Sequence, residues 1–178
     1  MNIENKKNGE NLRELILTAL MIALIFIGGT LIKIPTFNGF MQFGDCMVFL
    51  AAVLLDRKKA FIAAAIGMSF VDVSAGYLIW VPFTFIIKGV MAYITSILVH
   101  KIKGKLSYII SFIVGGIISV AGYFVANAIM GGIILKVVSG FTASIVYAGA
   151  HFVGDLIPII FSIIVAIPIV AIVKKIIK

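Results

Sequence analysis

The chain has 178 residues, of which 62% are hydrophobic and 12% charged, against roughly 45–50% and about 25% in an ordinary soluble domain. That balance excludes a water-soluble globular fold and describes an integral membrane protein. A formal charge of +8 does not point to nucleic acid, because the basic residues fall in small groups between apolar stretches instead of on one soluble face.

The first residues, "MNIENKKNGE", are polar and lack the apolar core of a signal peptide, so residues 1–11 are expected to form a short cytoplasmic tail. A helix needs about 20 largely apolar residues to cross a bilayer. Six stretches approach this, near 12–32, 43–56, 59–76, 80–100, 106–131 and 144–173. The second is short and is expected to cross only in the shelter of its neighbours. The expected fold is therefore all-α, a six-transmembrane-helix bundle forming a single membrane domain over residues 1–178.

The first stretch contains "TALMIAL", in which Ala19 and Ala23 form a small-xxx-small pair that lets another helix backbone come close. Ala60, Ala64 and Gly67 give the third stretch a similar strip. Between the fifth and sixth, "GGIILKVVSGFT" carries Gly131, Gly132 and Gly140, and is expected to be a loop with a short interfacial segment.

The basic residues sort by alternate connection. Lys6, Lys7 and Arg13 precede the first span, and Arg57, Lys58 and Lys59 stand between the second and third. Lys101, Lys103 and Lys105 separate the fourth from the fifth, and Lys174, Lys175 and Lys178 follow the sixth. The other connections hold only Lys33 and Lys136. By the positive-inside rule both termini are expected to be cytoplasmic, which requires an even number of spans.

Lys88 lies inside a span, where a lysine costs a few kcal/mol unless it has a partner or a wet cavity. Trp80, Thr84 and Lys88 share one helix face at i, i+4 and i+8. Ser119, Tyr123 and Asn127 repeat that spacing on the fifth span, and Tyr147, His151 and Asp155 on the sixth. All three stripes fall in the outer half, as do Asp45, Asp72 and Asp155 among the acids. This is read as a cavity open to the outside. Counted from Lys101 and Lys59 at about 1.5 Å per residue, Lys88 and Asp72 both stand ~20 Å above the inner basic groups. They are expected to form a structural ion pair, with Asp155 as the competing partner. Plainer roles stay open: interface anchoring for Trp80, Tyr123 and Tyr147, interhelical hydrogen bonding for Ser119 and Asn127, and a structural histidine at position 151.

Other chemistry finds little support. There is no G-x-x-x-x-G-K-[ST] loop for ATP and no H-E-x-x-H zinc pair. The lone Cys46 excludes an internal disulfide and a cysteine-cluster metal site, so neither metal nor cofactor is expected. "QFGD" and "HFVGD" loosely resemble the aspartates of intramembrane aspartyl proteases, but Gln42 and Phe152 stand where G-x-G-D needs glycine. That enzyme is one alternative. An autonomous small-molecule carrier is another, disfavoured by the absence of an inverted repeat or coupling-ion motif.

The stretch from Phe43 to Leu98, with its Gly-Asp start, its D-x-x-x-G-Y element at Asp72–Tyr77 and "PFTFIIKG", resembles the substrate-binding S components of energy-coupling factor (ECF) transporters. The likeness is to the branch serving riboflavin, pyridoxine-type vitamins and hydroxymethylpyrimidine. The resemblance implies a bundle in a bacterial cytoplasmic membrane that captures a small B-type vitamin or precursor from outside. The loop "KIPTFNGFMQ", which includes Asn38, would close over the ligand. It also implies that the Ala19-x-x-x-Ala23 face docks on a membrane coupling subunit carrying two ATPases. The ligand site it implies comprises Trp80, Thr84, Lys88, Tyr123, Asn127, Tyr147, His151, Asp155 and Asn38, with Asp72 pairing Lys88. "LLDRKK" and "GDLIP" depart from the usual Gly-Pro and Pro-x-Asn elements.

Overall fold

The apolar run of the first span forms the greater part of α1 (Ile3–Leu31). Its two threonines return their hydroxyls to the helix's own carbonyls, Thr18 to Glu14 at 2.7 Å and Thr30 to Phe26 at 2.5 Å, so neither leaves a polar atom bare in an apolar setting. This computed structural model describes residues 3–31, 33–36, 39–104, 106–135, 137–138 and 140–177, with side chains described from residue 11 onward except 33–41 and 177.

The segment read as a loop is a hairpin. Strand β1 (Lys33–Thr36) pairs antiparallel with β2 (Gly39–Gln42), Lys33 opposite Gln42 and Thr36 opposite Gly39. Four-residue strands are too short for a period-two pattern to show in sequence.

Helix α2 (Gly44–Leu54) follows at once and is buried along nearly its whole length. A helix apolar on every face needs cover on every face, and α2 has it from α1, α3, α4 and α6. Its eleven residues reach only ~16 Å, about half the hydrocarbon thickness. It enters where two backbones nearly touch: a Cβ on Gly44 would lie 3.0 Å from Gly29 Cα.

Asp56 caps α3 (Arg57–Ser74) by accepting the Lys59 N–H at 3.0 Å. Ala60, Ala63 and Ala64 are fully buried, and a Cβ on Gly67 would lie 2.8 Å from Ile25. The close approach at Gly67 is therefore to α1 of the same chain. Gly76, at φ +81°, turns the chain out of α3, a conformation that costs a residue with a Cβ. A single 3-10 turn (Leu78–Trp80) then leads into α4 (Val81–Lys101), with proline in its first turn.

Helix α5 (Ser107–Ile129) runs into a π-helical turn (Met130–Ile134), and α6 (Phe141–Ile177) completes the chain. Gly131 and Gly132 are not loop markers as expected. Each makes room for α6: a Cβ would stand 2.5 Å from the Tyr147 ring at Gly131 and 2.1 Å from Ser144 Oγ at Gly132. The turn glycine is Gly140, at φ +97°.

The described residues thus hold six α-helices, with the hairpin as the departure from helix. Four stretches are long and apolar enough to cross a membrane: Asn11–Leu31, Leu78–Lys101, Ser107–Ile134 and Phe141–Ile176. Helix α2 is too short by itself, and α3 carries Arg57, Lys58, Lys59 and Asp72. Between them lies an apolar core in which Phe49 and Phe112 stack with centroids 4.6 Å apart beside Met21, Ile25, Met68 and Met91.

Apart from Lys88, the basic side chains that are described gather at one end of the bundle. Lys59 bonds Glu14, Lys174 bonds the Tyr108 hydroxyl, and Arg57 and Lys101 line one cavity. Alternation of helix direction then puts the hairpin, the start of α2 and the head of α4 at the other end.

Candidate functional site: a buried polar layer around Lys88

Lys88 is presented by the inward face of α4, which also carries Thr84, Met91, Thr95 and Ser96. Lys88 and Asp45 are each only 3% exposed. The Lys88 ammonium donates to Asp45 Oδ1 at 2.6 Å and to Ser119 Oγ at 3.3 Å, and stands 5.1 Å from the centroid of the Tyr123 ring. The Tyr123 hydroxyl lies 3.3 Å from Thr84 Oγ1. Asp45 occupies the first turn of α2, where the amide dipoles of a helix favour negative charge. Helices α2, α4 and α5 thus meet through charged and hydroxyl groups.

Asp45 is the partner that depth counting missed. The sequence reading set Asp72 against Lys88, and Asp72 does act on the Lys88 charge electrostatically. The short bridge is to Asp45. Its signal was an aspartate directly after a glycine, opening a helix with no other charge.

A second set joins α5 to α6. Asn127 Nδ2 donates to Asp155 Oδ2 at 2.9 Å, and Asp155 lies within electrostatic reach of Lys88 and His151. The two sets therefore belong to one electrostatic neighbourhood. Tyr147 and His151 pack ring on ring, centroids 4.6 Å apart, with His151 Nδ1 2.9 Å from the Tyr147 carbonyl oxygen. Trp80, half-buried, sets its ring against Phe83 at 6.1 Å, a turn before Thr84. Asn38 lies outside the described residues. Gln42, close by in β2, has a buried Oε1 without a hydrogen-bond partner among the described residues; the sequence reading gave it no role. A buried acceptor without a donor costs about 1–3 kcal/mol.

The layer offers donors, acceptors and aromatic faces. Among the described residues, no group of three or more His, Cys, Asp or Glu is placed to hold a metal ion. On the outside of the bundle, Ala19 and Ala23 are exposed on α1 with Leu12, Leu15, Ile16, Leu20 and Ile27.

A helix bundle with four stretches long and apolar enough to cross a membrane, closed around a layer of polar groups, defines an integral membrane protein. The chain matches the family described as ECF-type riboflavin transporter, S component, over residues 9–175, and belongs to that family. Its family and its four long apolar helices make it a multi-pass membrane protein of a transporter-component family. A protein of Pyrococcus woesei described as "Uncharacterized protein in gap 3'region" is 34% identical over 92 residues, which are 52% of this chain and 62% of that protein.

Proposed function

We propose that this chain captures a small aromatic B-type vitamin or vitamin precursor, of the pyridoxine, hydroxymethylpyrimidine or riboflavin kind, from outside a bacterial cytoplasmic membrane. It then hands the molecule to an ATP-driven import complex. The observation that carries this reading is the convergence of Asp45, Thr84, Lys88, Ser119, Tyr123, Asn127 and Asp155 from α2, α4, α5 and α6 at one level of an apolar bundle. In hydrocarbon such groups are retained for a task. Trp80, Tyr123 and Tyr147 offer faces for stacking on a heteroaromatic ring, and Thr84, Asn127, His151 and Asp155 offer hydrogen bonds to ring nitrogens and hydroxymethyl groups. Asn38 belongs to the stretch KIPTFNGFMQ, which closes over the ligand.

The Lys88–Asp45 pair forms the floor of this site, with Asp72 adding to its field. The basic end of the bundle is cytoplasmic and all six helices cross, α2 and α3 within the shelter of the other four. Ala19 and Ala23 form the docking face for a membrane coupling subunit that carries two ATPases. The alternative of an aspartyl-type enzyme is weakened by Asp45 and Asp155 being held by different partners, Lys88 and Asn127.

The test begins with mass spectrometry of the small molecule released on denaturing the purified chain. Its affinity for the intact protein is then measured in Trp80→Ala and Asn127→Ala variants. We expect a heteroaromatic vitamin or precursor, and binding weaker by roughly tenfold or more in each variant, as for a lost stacking face or hydrogen bond in a dry site. Unchanged affinity in both variants would remove the polar layer as the ligand site.

A further inference from the structure

At the basic end, the α2–α3 connection and the last turns of α4 enclose a cavity of about 380 Å³, separate from the polar layer. Its lining divides in two. Leu55 and Ile97 form an apolar wall, and Arg57, His100 and Lys101 stand around it with Asp56. Asp56 is engaged elsewhere, its carboxylate accepting the Lys59 N–H at 3.0 Å. Arg57 is steadied over the Tyr93 ring, 6.0 Å from its centroid. His100 Nδ1 lies 2.7 Å from the Ser96 carbonyl oxygen, which assigns it as donor and leaves Nε2 for another partner. Ser96 in turn gives its hydroxyl to the Leu55 carbonyl at 3.0 Å, tying the two walls together.

The cavity therefore presents two fixed positive charges, an imidazole and an apolar flank against a single carboxylate, which accepts the capping N–H of α3. It also sits at the end of the span Leu78–Lys101, at the depth where lipid headgroups lie. We propose that it is a binding site for an anionic phospholipid, the phosphodiester held by Arg57, Lys101 and His100 and the glycerol and first acyl carbons laid against Leu55 and Ile97. Guanidinium and ammonium groups suit a phosphate oxygen cluster, and basic pockets between membrane helices recognise anionic headgroups. The apolar wall distinguishes a lipid from a free phosphate, which has no use for it. A lipid here would brace the α2–α3 connection against α4.

The test is native mass spectrometry of the delipidated full chain in detergent micelles. It is titrated in parallel with phosphatidylglycerol, phosphatidylcholine of the same acyl chains, and inorganic phosphate. The expected result is one tightly held phosphatidylglycerol, preferred over phosphatidylcholine by roughly tenfold or more, as two basic side chains at a membrane surface provide. Arg57→Gln with Lys101→Gln should abolish the preference, whereas Lys103→Gln with Lys175→Gln, which removes equal charge outside the cavity, should keep it. Equal binding of the two lipids by the unaltered protein would overturn the proposal whether or not the variants fold. So would displacement of the lipid by inorganic phosphate, which would make this a soluble-anion site, or a preference that survives the cavity variant.

Discussion

Lys88 decides the most at the scale of single residues. Its bridge to Asp45 is 2.6 Å long with both side chains almost wholly buried, so neither charge has water to fall back on. Breaking such a pair by removing one partner costs about 3–5 kcal/mol, whereas replacing both with apolar groups is often neutral. Lys88→Met and Asp45→Leu should therefore each lower the stability of the purified protein by about that amount, and the double variant should recover most of the loss. Thermal or denaturant unfolding in detergent measures this. Additive losses would show that the two groups do not depend on one another. The same pair marks how far the sequence could be read. Counting residues from the basic groups placed Lys88 at its depth and on a face with Thr84, because both follow from helix periodicity. It did not find Asp45, because the choice of partner depends on how each helix is rotated and where α2 enters. Those follow from contacts between residues far apart in sequence, such as the backbone crossing of Gly29 and Gly44.

Among the elements, α1 and α2 have opposite surfaces, and composition shows the contrast only in part. Beyond Asp45, helix α2 is apolar all round and enclosed all round, and the apolarity is plain in its sequence. Helix α1 is apolar from Leu15 onward yet buries only the face that meets α2 and α3, leaving Ala19 and Ala23 bare between Leu15, Ile16, Leu20 and Ile27. In lipid, apolarity does not tell an inward face from an outward one, so the burial of Gly67 against Ile25 and the exposure of Ala19 were not separable by inspection. On an outward face a small-xxx-small pair is useful only to a helix of another chain. Ala19→Leu with Ala23→Leu should leave vitamin affinity unchanged and weaken association with the coupling subunit by about 1–3 kcal/mol, at least several-fold, as for overpacking of a close contact. Co-purification of the complex and ligand titration of the isolated chain read the two effects separately. Loss of ligand binding would place these alanines in the bundle's own packing.

For the molecule as a whole, the arrangement of charge implies an orientation. Arg57, Lys59, Lys101 and Lys174 lie at one end, and the polar layer lies nearer the other, beside the hairpin. Short connections rich in lysine and arginine stay in the cytoplasm during insertion, so the hairpin end should face outward. This is checked with single cysteines introduced at exposed positions of either end, Lys103→Cys and Thr142→Cys. The native Cys46 is fully buried and gives little background. In intact cells a membrane-impermeant maleimide should label the chain at position 142 and not at 103, and both should label once the membrane is opened. The reverse pattern would turn the bundle over and put the Lys88 layer near the cytoplasm. The capture reading would then fail even with every helix in place, because import requires the binding layer to open toward the side from which the nutrient arrives.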